Sequence, residues 1–99
     1  MITVLVDAEN VRRSLWPNIP RDELVRLVDA WGEREGHRPL VFFEEAESAD
    51  DRIARWAAEP EGPYWLVTSD RGLRERAAAG AARVIGGGAF ARLLKDQAS

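Results

Sequence analysis

Four short strand-like segments, the first three of them largely apolar, recur along the chain, separated by stretches long enough to hold helices. They span residues 2–6, 40–43, 64–67 and 83–85. Each segment is too short for a stable helix, and unbroken apolar runs of this length are typical of strands buried on both faces. Strands that alternate with helices form a mainly parallel sheet with helices packed on it. The sequence therefore predicts an α/β protein, a three-layer α/β/α sandwich around a short sheet of about four strands.

The stretches between the strands carry the signals of helices. The clearest helix is predicted over residues 21–35, and Gly36 stands where a helix stop is expected. Its apolar stripe, with the spacing of one helix face, consists of Leu24, Leu27, Val28 and Trp31. Ser48 is placed to cap a second helix that begins near Ala49.

The remaining connections are predicted from weaker signals. The segment around Trp16 is expected to be a loop, because it holds two prolines and an asparagine. A third helix is predicted from Asp70 to about Ala79, and a fourth after Gly86–Gly88. The glycine run suits either a turn or a close backbone approach to a phosphate. The tail 97–99 is expected to be frayed.

Composition bounds the classes of function that are open to the chain. Its 99 residues suit one compact domain over positions 1–99. The absence of cysteine excludes disulfides and thiolate chemistry and agrees with a cytoplasmic location. No apolar run predicts a membrane span, and no leader pattern is visible at the N-terminus. With a formal net charge of -3, any contact with nucleic acid is expected to be local.

Acidic residues follow three of the predicted strands. Asp7 ends the first strand, Asp50 and Asp51 open the helix after the second, and Asp70 comes just after the third. The carboxyl ends of parallel strands share one edge of a sheet, where open α/β folds bind their ligands. Taken singly, each aspartate could equally be a helix cap or a turn residue. Their recurrence after three different strands favours a common site.

A group of carboxylates at one sheet edge favours a bound cation. Like charges a few ångströms apart raise one another's pKa values or recruit a positive ion. Oxygen ligands without cysteine or a nearby histidine suit Mg²⁺ or Mn²⁺ better than zinc. A divalent cation held in this way commonly acts on phosphates. The sequence therefore indicates phosphoryl chemistry.

Several other polar or aromatic residues could assist such a site. Asn10 could orient a water molecule or a carboxylate, although a cap or an Asx turn is the simpler interpretation. Trp16 could stack on a base, whereas His37 is expected to be solvated and far from the acidic edge. Arginines that could hold RNA phosphates, or be ordinary surface charge, are Arg12, Arg13, Arg52 and Arg71.

Three motifs in this order resemble the NYN domain family, a branch of the PIN-like nucleases, and especially its YacP-like members. They are VLVDAENV at 4–11, SADDRI at 48–53 and VTSDRGL at 67–73. A weaker match, GAARVIGGGAFARLL at 80–94, looks like the final strand and helix of the family. Between the first and the last of these segments, the resemblance spans most of the chain. The resemblance implies a PIN-like parallel fold, a divalent-metal site and endoribonuclease activity.

The resemblance also implies roles for individual residues. Asp7, Asp50 and Asp70 correspond to the three metal-binding aspartates, Asn10 to the polar residue of a D-x-x-N motif, and Asp51 to an assisting neighbour. The implied reaction is metal-dependent hydrolysis of RNA phosphodiester bonds, with single-stranded RNA as the expected substrate. Ser69, just before the third aspartate, joins the arginines as a candidate substrate contact.

The sequence departs from the family pattern at two places. Only EEAES, whose last residue is already the Ser48 of SADDRI, follows the second strand before the motif, where the family often has a further strand. Many PIN-like sites also have an acid just past the third aspartate, where this chain has Arg71 and Gly72. Residues that could substitute for this acid are Glu9, Glu44, Glu45 and Glu47.

Other functions fit the sequence less well. A non-catalytic RNA-binding or protein-interaction module on the same fold remains open, because a fold does not fix a function. A phosphatase of the haloacid dehalogenase type would need an aspartate at position 9, where Glu9 stands. Dinucleotide binding would need glycines after the first strand rather than after the last. A homodimer would lengthen an RNA groove, and the sequence leaves the oligomeric state open.

Overall fold

The computed structural model describes residues 1–98, with the side chain of Ala98 excepted. The element order is β1 (Thr3–Asp7), α1 (Ala8–Arg12), α2 (Arg21–Glu35), β2 (Arg38–Phe42), α3 (Ala49–Ala58), β3 (Tyr64–Val67), α4 (Arg71–Ala77), β4 (Arg83–Ile85) and α5 (Gly87–Ala98). The four strands form one parallel sheet in the order β2-β1-β3-β4. This architecture confirms the predicted α/β class and agrees with a PIN-like α/β/α fold.

Two apolar clusters, one on each face of the sheet, make the three layers. Strand side chains alternate between the faces, so that Val4 and Val6 point to one cluster and Leu5 to the other. The first cluster packs the sheet against α1, α2 and α5, and the second packs it against α3 and α4. Phe90 and Ile53, one from each helical layer, are fully buried.

Most predicted elements agree closely with the structure. The helix at 21–35 and the strands at 64–67 and 83–85 have the predicted bounds. Gly36 ends α2 in the left-handed conformation, with φ 73°, which glycine adopts without steric cost. The Ser48 side chain caps α3 by accepting a hydrogen bond from the Asp51 backbone N–H.

The structure corrects the prediction at both ends of the chain. Residues 8–12, predicted as part of a loop, form the short helix α1, because five residues are too few to display helical periodicity. Gly87 and Gly88 lie inside α5 rather than in a turn before it. The prediction of a frayed tail is wrong for Gln97, whose side-chain amide donates to the Leu27 carbonyl at 2.8 Å. The prediction for Ser99 falls outside the described residues.

The environment of His37 also differs from the prediction. Its ring lies 4.6 Å from the Trp65 ring and 5.5 Å from the Trp31 ring, centroid to centroid. Its Nδ1 is buried and has no hydrogen-bond partner within the described part of the chain. The imidazole therefore packs in an aromatic cluster and is only partly exposed, rather than being a freely solvated side chain.

Candidate active site

The carboxyl ends of the parallel strands open into a polar cleft, called here the acidic cleft. Its volume is about 390 Å³. The cleft is lined by Asp7, Glu9, Asn10, Arg13, Ser14, Glu44, Asp50 and Asp70. β1 and β3 are neighbours in the middle of the sheet, and the connection after β1 leads outward to β2, whereas the connection after β3 leads outward on the other side to β4. Such a reversal of strand order is the usual place for a ligand crevice in this type of sheet.

Asp7 is the most deeply placed acid of the cleft. Only 5% of the residue is exposed, and its Oδ2 accepts a hydrogen bond of 2.8 Å from the Thr68 hydroxyl. Burial raises the pKa of Asp7 above its usual value; the hydrogen bond from Thr68 opposes this rise, and the charges of Asp50, Asp70 and Glu44 add to it. An ionised Asp7 is therefore a poorly solvated charge that a cation would stabilise.

Asp50 and Asp70 enter the cleft from the helices that follow β2 and β3. Asp50 lies in the first turn of α3, and its pKa is raised by burial and then by the charges of Asp70 and Glu44. Asp70 caps α4, because its Oδ1 accepts a 3.0 Å hydrogen bond from the Leu73 N–H. The capping interpretation and the cleft position thus both hold for Asp70.

Thr68 links two of these aspartates. Its hydroxyl donates to Asp7 and accepts a 3.0 Å hydrogen bond from the Asp70 N–H. Its carbonyl accepts a 2.9 Å hydrogen bond from Nε of Arg74, and the residue is fully buried. Thr68 therefore fixes the distance between β1 and the start of α4. Sequence reasoning gave it no role, although a hydroxyl between a strand and a capping aspartate is a visible signal.

Asn10 and Ser69 connect α1, the β3–α4 connection and α5. The Asn10 Oδ1 accepts a 2.8 Å hydrogen bond from the Ser69 N–H, and the Ser69 Oγ accepts one of 2.8 Å from the Gly87 N–H. A Cβ on Gly87 would collide with the Asn10 side chain. These contacts, called here the Asn10 latch, position the segment that carries Asp70. Ser69 is thus occupied by structural hydrogen bonds at both polar atoms.

The predicted arginines divide into different groups. Arg13, 66% exposed at its side chain, lines the cleft and contacts Glu9 at 3.2 Å. Arg12 is committed to the fold, because it donates to Glu9 at 2.8 Å and to the Ile19 carbonyl at 2.9 Å. Arg52 donates to the Phe43 carbonyl and lies outside the cleft lining.

Arg71 and Asp51 also lie outside the cleft lining. Arg71 is exposed at the start of α4 and makes no ion pair with the described residues. Asp51 forms a 2.9 Å ion pair with Arg76, which lowers the pKa of the Asp51 carboxyl. One residue of helical rotation separates Asp51 from Asp50, so the two neighbours point in different directions. The structure therefore brings Asp50, but not Asp51, together with Asp7 and Asp70.

Glu44 and Glu9 are the further carboxylates that line the cleft beside the three aspartates. Glu9 contacts three arginines, whereas Glu44 has no ion pair among the described residues. Glu44 follows β2 by two residues, and Phe42 at the end of β2 is paired in register with Asp7. Of the other glutamates considered from the sequence, Glu45 pairs with Arg52 and Glu47 with Arg55. Asp7 was selected because acids at the carboxyl ends of parallel strands share one edge of the sheet. The same argument applied to β2 would have selected Glu44.

The donor set of the cleft fits a hard divalent cation in its chemistry. Its carboxylates offer only oxygen, and burial and mutual repulsion raise two of their pKa values. Among residues 1–98, no three or more acidic, histidine or cysteine side chains are arranged so that they could hold a metal ion by themselves. Mg²⁺ does not need a complete set of protein ligands. It usually keeps several waters and is bound by only one or two carboxylates plus substrate phosphates.

Comparison with known proteins bears on the fold. No protein-family model and no curated protein sequence matches the chain. Among solved structures, the chain is similar to the crystal structure of Rae1 (YacP) from Bacillus subtilis, with a TM-score of 0.76 and 22% sequence identity. The similarity covers 97% of this chain and 76% of that one. At this level of identity the likeness establishes the fold, and the chain has a YacP-like fold.

Proposed function

We propose that the protein is a divalent-metal-dependent endoribonuclease of the NYN domain family, which hydrolyses phosphodiester bonds in single-stranded RNA. The observation that carries this proposal is the convergence of Asp7, Asp50 and Asp70 on one cleft at the switch point of the sheet. The carboxylates come from three separate elements, which is more than caps and turns require. The YacP-like fold and the three motifs that resemble the family support the same function.

Asp7, Asp50 and Asp70 would share Mg²⁺ or Mn²⁺, one or two of them by direct contact and the rest through water molecules, with Glu44 close by. When bound, the cation neutralises phosphate charge and activates water for attack on phosphorus. Thr68 keeps the Asp7 carboxyl oriented through its hydroxyl, and the Asn10 latch keeps Asp70 in place. Arg13 at the rim is the arginine best placed to contact an RNA phosphate.

We also propose a cytoplasmic location, an RNA partner and a homodimer for this nuclease. A cytoplasmic location agrees with the absence of cysteine, and an RNA partner agrees with the motifs. Within the described part of the chain, no helix has the length and apolar character that a bilayer span requires. A homodimer would extend the cleft into a longer groove, and sedimentation of the purified protein would test it.

The test is cleavage of a fluorescent single-stranded RNA by the purified protein with Mn²⁺ or Mg²⁺. We expect metal-dependent cleavage that EDTA removes and that Asp70→Asn lowers by about 100-fold or more, because a charge-stabilising group at a reaction centre is commonly worth that much. Asparagine is as good an N-cap as aspartate, so α4 keeps its cap in the variant. Asp7→Asn and Asp50→Asn are expected to behave alike.

The matched control is Asp29→Asn, which removes an exposed carboxylate from the middle of α2. It should cut RNA at the rate of the unaltered protein. Full activity in all three cleft variants would refute the site, and cleavage that persists in EDTA would refute the metal.

A second candidate function is favoured by one observation. Among residues 1–98, no three histidine, cysteine, aspartate or glutamate side chains are arranged to hold an ion by themselves. A non-catalytic RNA-binding or protein-interaction module on the same fold is therefore the alternative. Calorimetric titration with Mn²⁺ separates the two functions. Metal binding that Asp7→Asn abolishes supports the nuclease, whereas RNA binding without metal binding or cleavage supports the module.

A further inference from the structure

Trp16 is a large aromatic residue held in solvent beside the acidic cleft. It is 89% exposed and follows the cleft residue Ser14 by two positions. The loop around it is anchored at both ends, because Ile19 is buried and exchanges hydrogen bonds with Arg12, 3.0 Å through the backbone and 2.9 Å through the Arg12 Nε. An indole displayed on an anchored loop adds nothing to the core, and its faces are open to a ligand.

Arg92 brings a positive charge to the same rim. A Cβ on Gly88 would lie 3.6 Å from an Arg92 guanidinium nitrogen and 3.9 Å from the Ser14 Cβ, so both side chains flank one point. Arg92 is exposed, and it lies between this point and a second pocket that Arg34 and Asp96 also line. It lies one helical turn past Gly88 in α5, and helical side chains lean toward the helix N-terminus, which here borders the cleft. The weaker family match at 80–94 includes Arg92, but the sequence gave it no role.

We propose that Trp16 and Arg92 form a binding platform for an unpaired nucleotide of the RNA strand, next to the acidic cleft. The indole stacks on a base, and the guanidinium pairs with a phosphate. This inference rests on the proposed function, because it names how the same site recognises its substrate. It assigns two residues to substrate binding outside the group of acids.

The chemistry of the rim favours a nucleotide over an apolar partner. A protein surface that covered Trp16 would also have to desolvate the Arg92 charge, whereas a nucleotide supplies an aromatic face and an anion together. The acids of the cleft repel phosphates, so a substrate needs attraction from the rim. Stacking on a lone indole requires a base with a free face, which a duplex does not offer along its length. The platform therefore selects single strands.

The test is the affinity of a short, unstructured, fluorescein-labelled RNA, measured by anisotropy in the Asp70→Asn protein with EDTA so that no cleavage occurs. We expect Trp16→Ala to weaken binding by about 5- to 100-fold, the range found for loss of one base–aromatic stack. Trp16→Phe should retain most of the affinity. Arg92→Gln should weaken binding and reduce its salt dependence. The matched control Arg26→Gln, at an exposed arginine of α2, should change neither.

Three results would overturn the platform. Equal affinity of Trp16→Ala and the parent protein would remove the stacking role. If Trp16→Ala weakened the binding of duplex RNA as much as that of single-stranded RNA, Trp16 would not be selective for single strands. Conversion of a dimer to a monomer by Trp16→Ala in sedimentation would identify a second copy of the chain as its partner. Cleavage by the unaltered protein is measured separately, so the nuclease can stand while the platform fails, and the reverse.

Discussion

The Asp7 carboxyl group combines deep burial with the proximity of three other carboxylates. Its raised pKa means that the folded state holds a proton more tightly than the unfolded state. As the pH rises from about 4 through the folded pKa, the unfolded chain gives up this proton first, and the free energy of unfolding falls. At neutral pH the ionised Asp7 therefore destabilises the metal-free protein, which is the expected cost of a functional group placed for cation binding.

Replacement of Asp7 by asparagine should remove this cost. The amide oxygen can still accept the Thr68 hydrogen bond, and the repulsion from the neighbouring acids disappears. We expect Asp7→Asn in EDTA at pH 7 to be more stable by on the order of 1 kcal/mol, seen as about 4–8 °C in melting temperature for a chain of this size. Thermal melts from pH 3 to 8 measure the effect, and the difference should vanish at the acid end.

Added Mn²⁺ provides the internal control for the Asp7 prediction. The cation should raise the melting temperature of the unaltered protein and have little effect on Asp7→Asn, because binding to the folded state alone stabilises it. A variant that is less stable than the parent at every pH would contradict the assignment of Asp7 as a strained charge.

At the scale of elements, the sequence predicted what periodicity and strand length control. α2, β3 and β4 have their predicted bounds because their apolar patterns are clear and their ends carry stop or cap signals. α1 escaped prediction because its helical state depends on tertiary packing of Ala8 and Val11 against the sheet and α5. The parallel topology alone was enough to bring Asp7, Asp50 and Asp70 to one edge.

The partners of individual side chains could not be predicted in this way. The rotation that separates Asp51 from Asp50, and the hydrogen bonds that occupy Arg12 and Arg52, depend on three-dimensional contacts between distant elements. The same is true of Arg92, which reaches the cleft rim only because α5 packs against α1. Sequence spacing thus identified the edge of the sheet, but it could not show which arginine side chains at that edge are available to bind phosphate.

The junction between α1 and α5 gives the element-scale prediction. A Cβ on Gly87 would collide with Asn10 Oδ1 and lie 3.0 Å from Ser14 Oγ, whereas one on Gly88 would make only ordinary contacts. We expect Gly87→Ala to destabilise the protein by about 1–3 kcal/mol through overpacking and to lower RNA cleavage by displacing the Asn10 latch. Urea unfolding and cleavage assays measure the two effects.

Gly88→Ala is the matched control for Gly87→Ala. It adds the same methyl group one residue further into α5, where alanine is the better helix former by up to about 1 kcal/mol. It should be neutral or stabilising. Equal destabilisation by both variants would show that the helix start itself, and not the Asn10 latch, is sensitive to substitution.

Across the whole molecule, acidic side chains occupy most of the arginines. Glu9 alone contacts Arg12, Arg13 and Arg21. Further ion pairs join Arg26 to Asp22, Arg34 to Glu35, Arg38 to Glu61, Arg52 to Glu45, Arg55 to Glu47 and Arg76 to Asp51. With a net charge of -3, no broad basic field remains to attract RNA. Recognition must then depend on a few cations around the cleft.

The salt dependence of RNA binding tests this local recognition. For single strands, each neutralised phosphate contributes about −0.7 to the slope of log K against log salt concentration. Three arginines could contact phosphates here: Arg13 and Arg92 at the rim, and Arg71 next to Asp70 in the sequence. Three such contacts predict a slope of about −2 or shallower. Anisotropy titrations of Asp70→Asn in EDTA over a range of KCl concentrations measure it. A slope near −5 would require an extended basic surface, and with these ion pairs in place only a second chain or a large rearrangement could supply one. If the slope is shallow, and Arg92→Gln makes it shallower still, the electrostatic part of RNA binding comes from the rim of this one cleft.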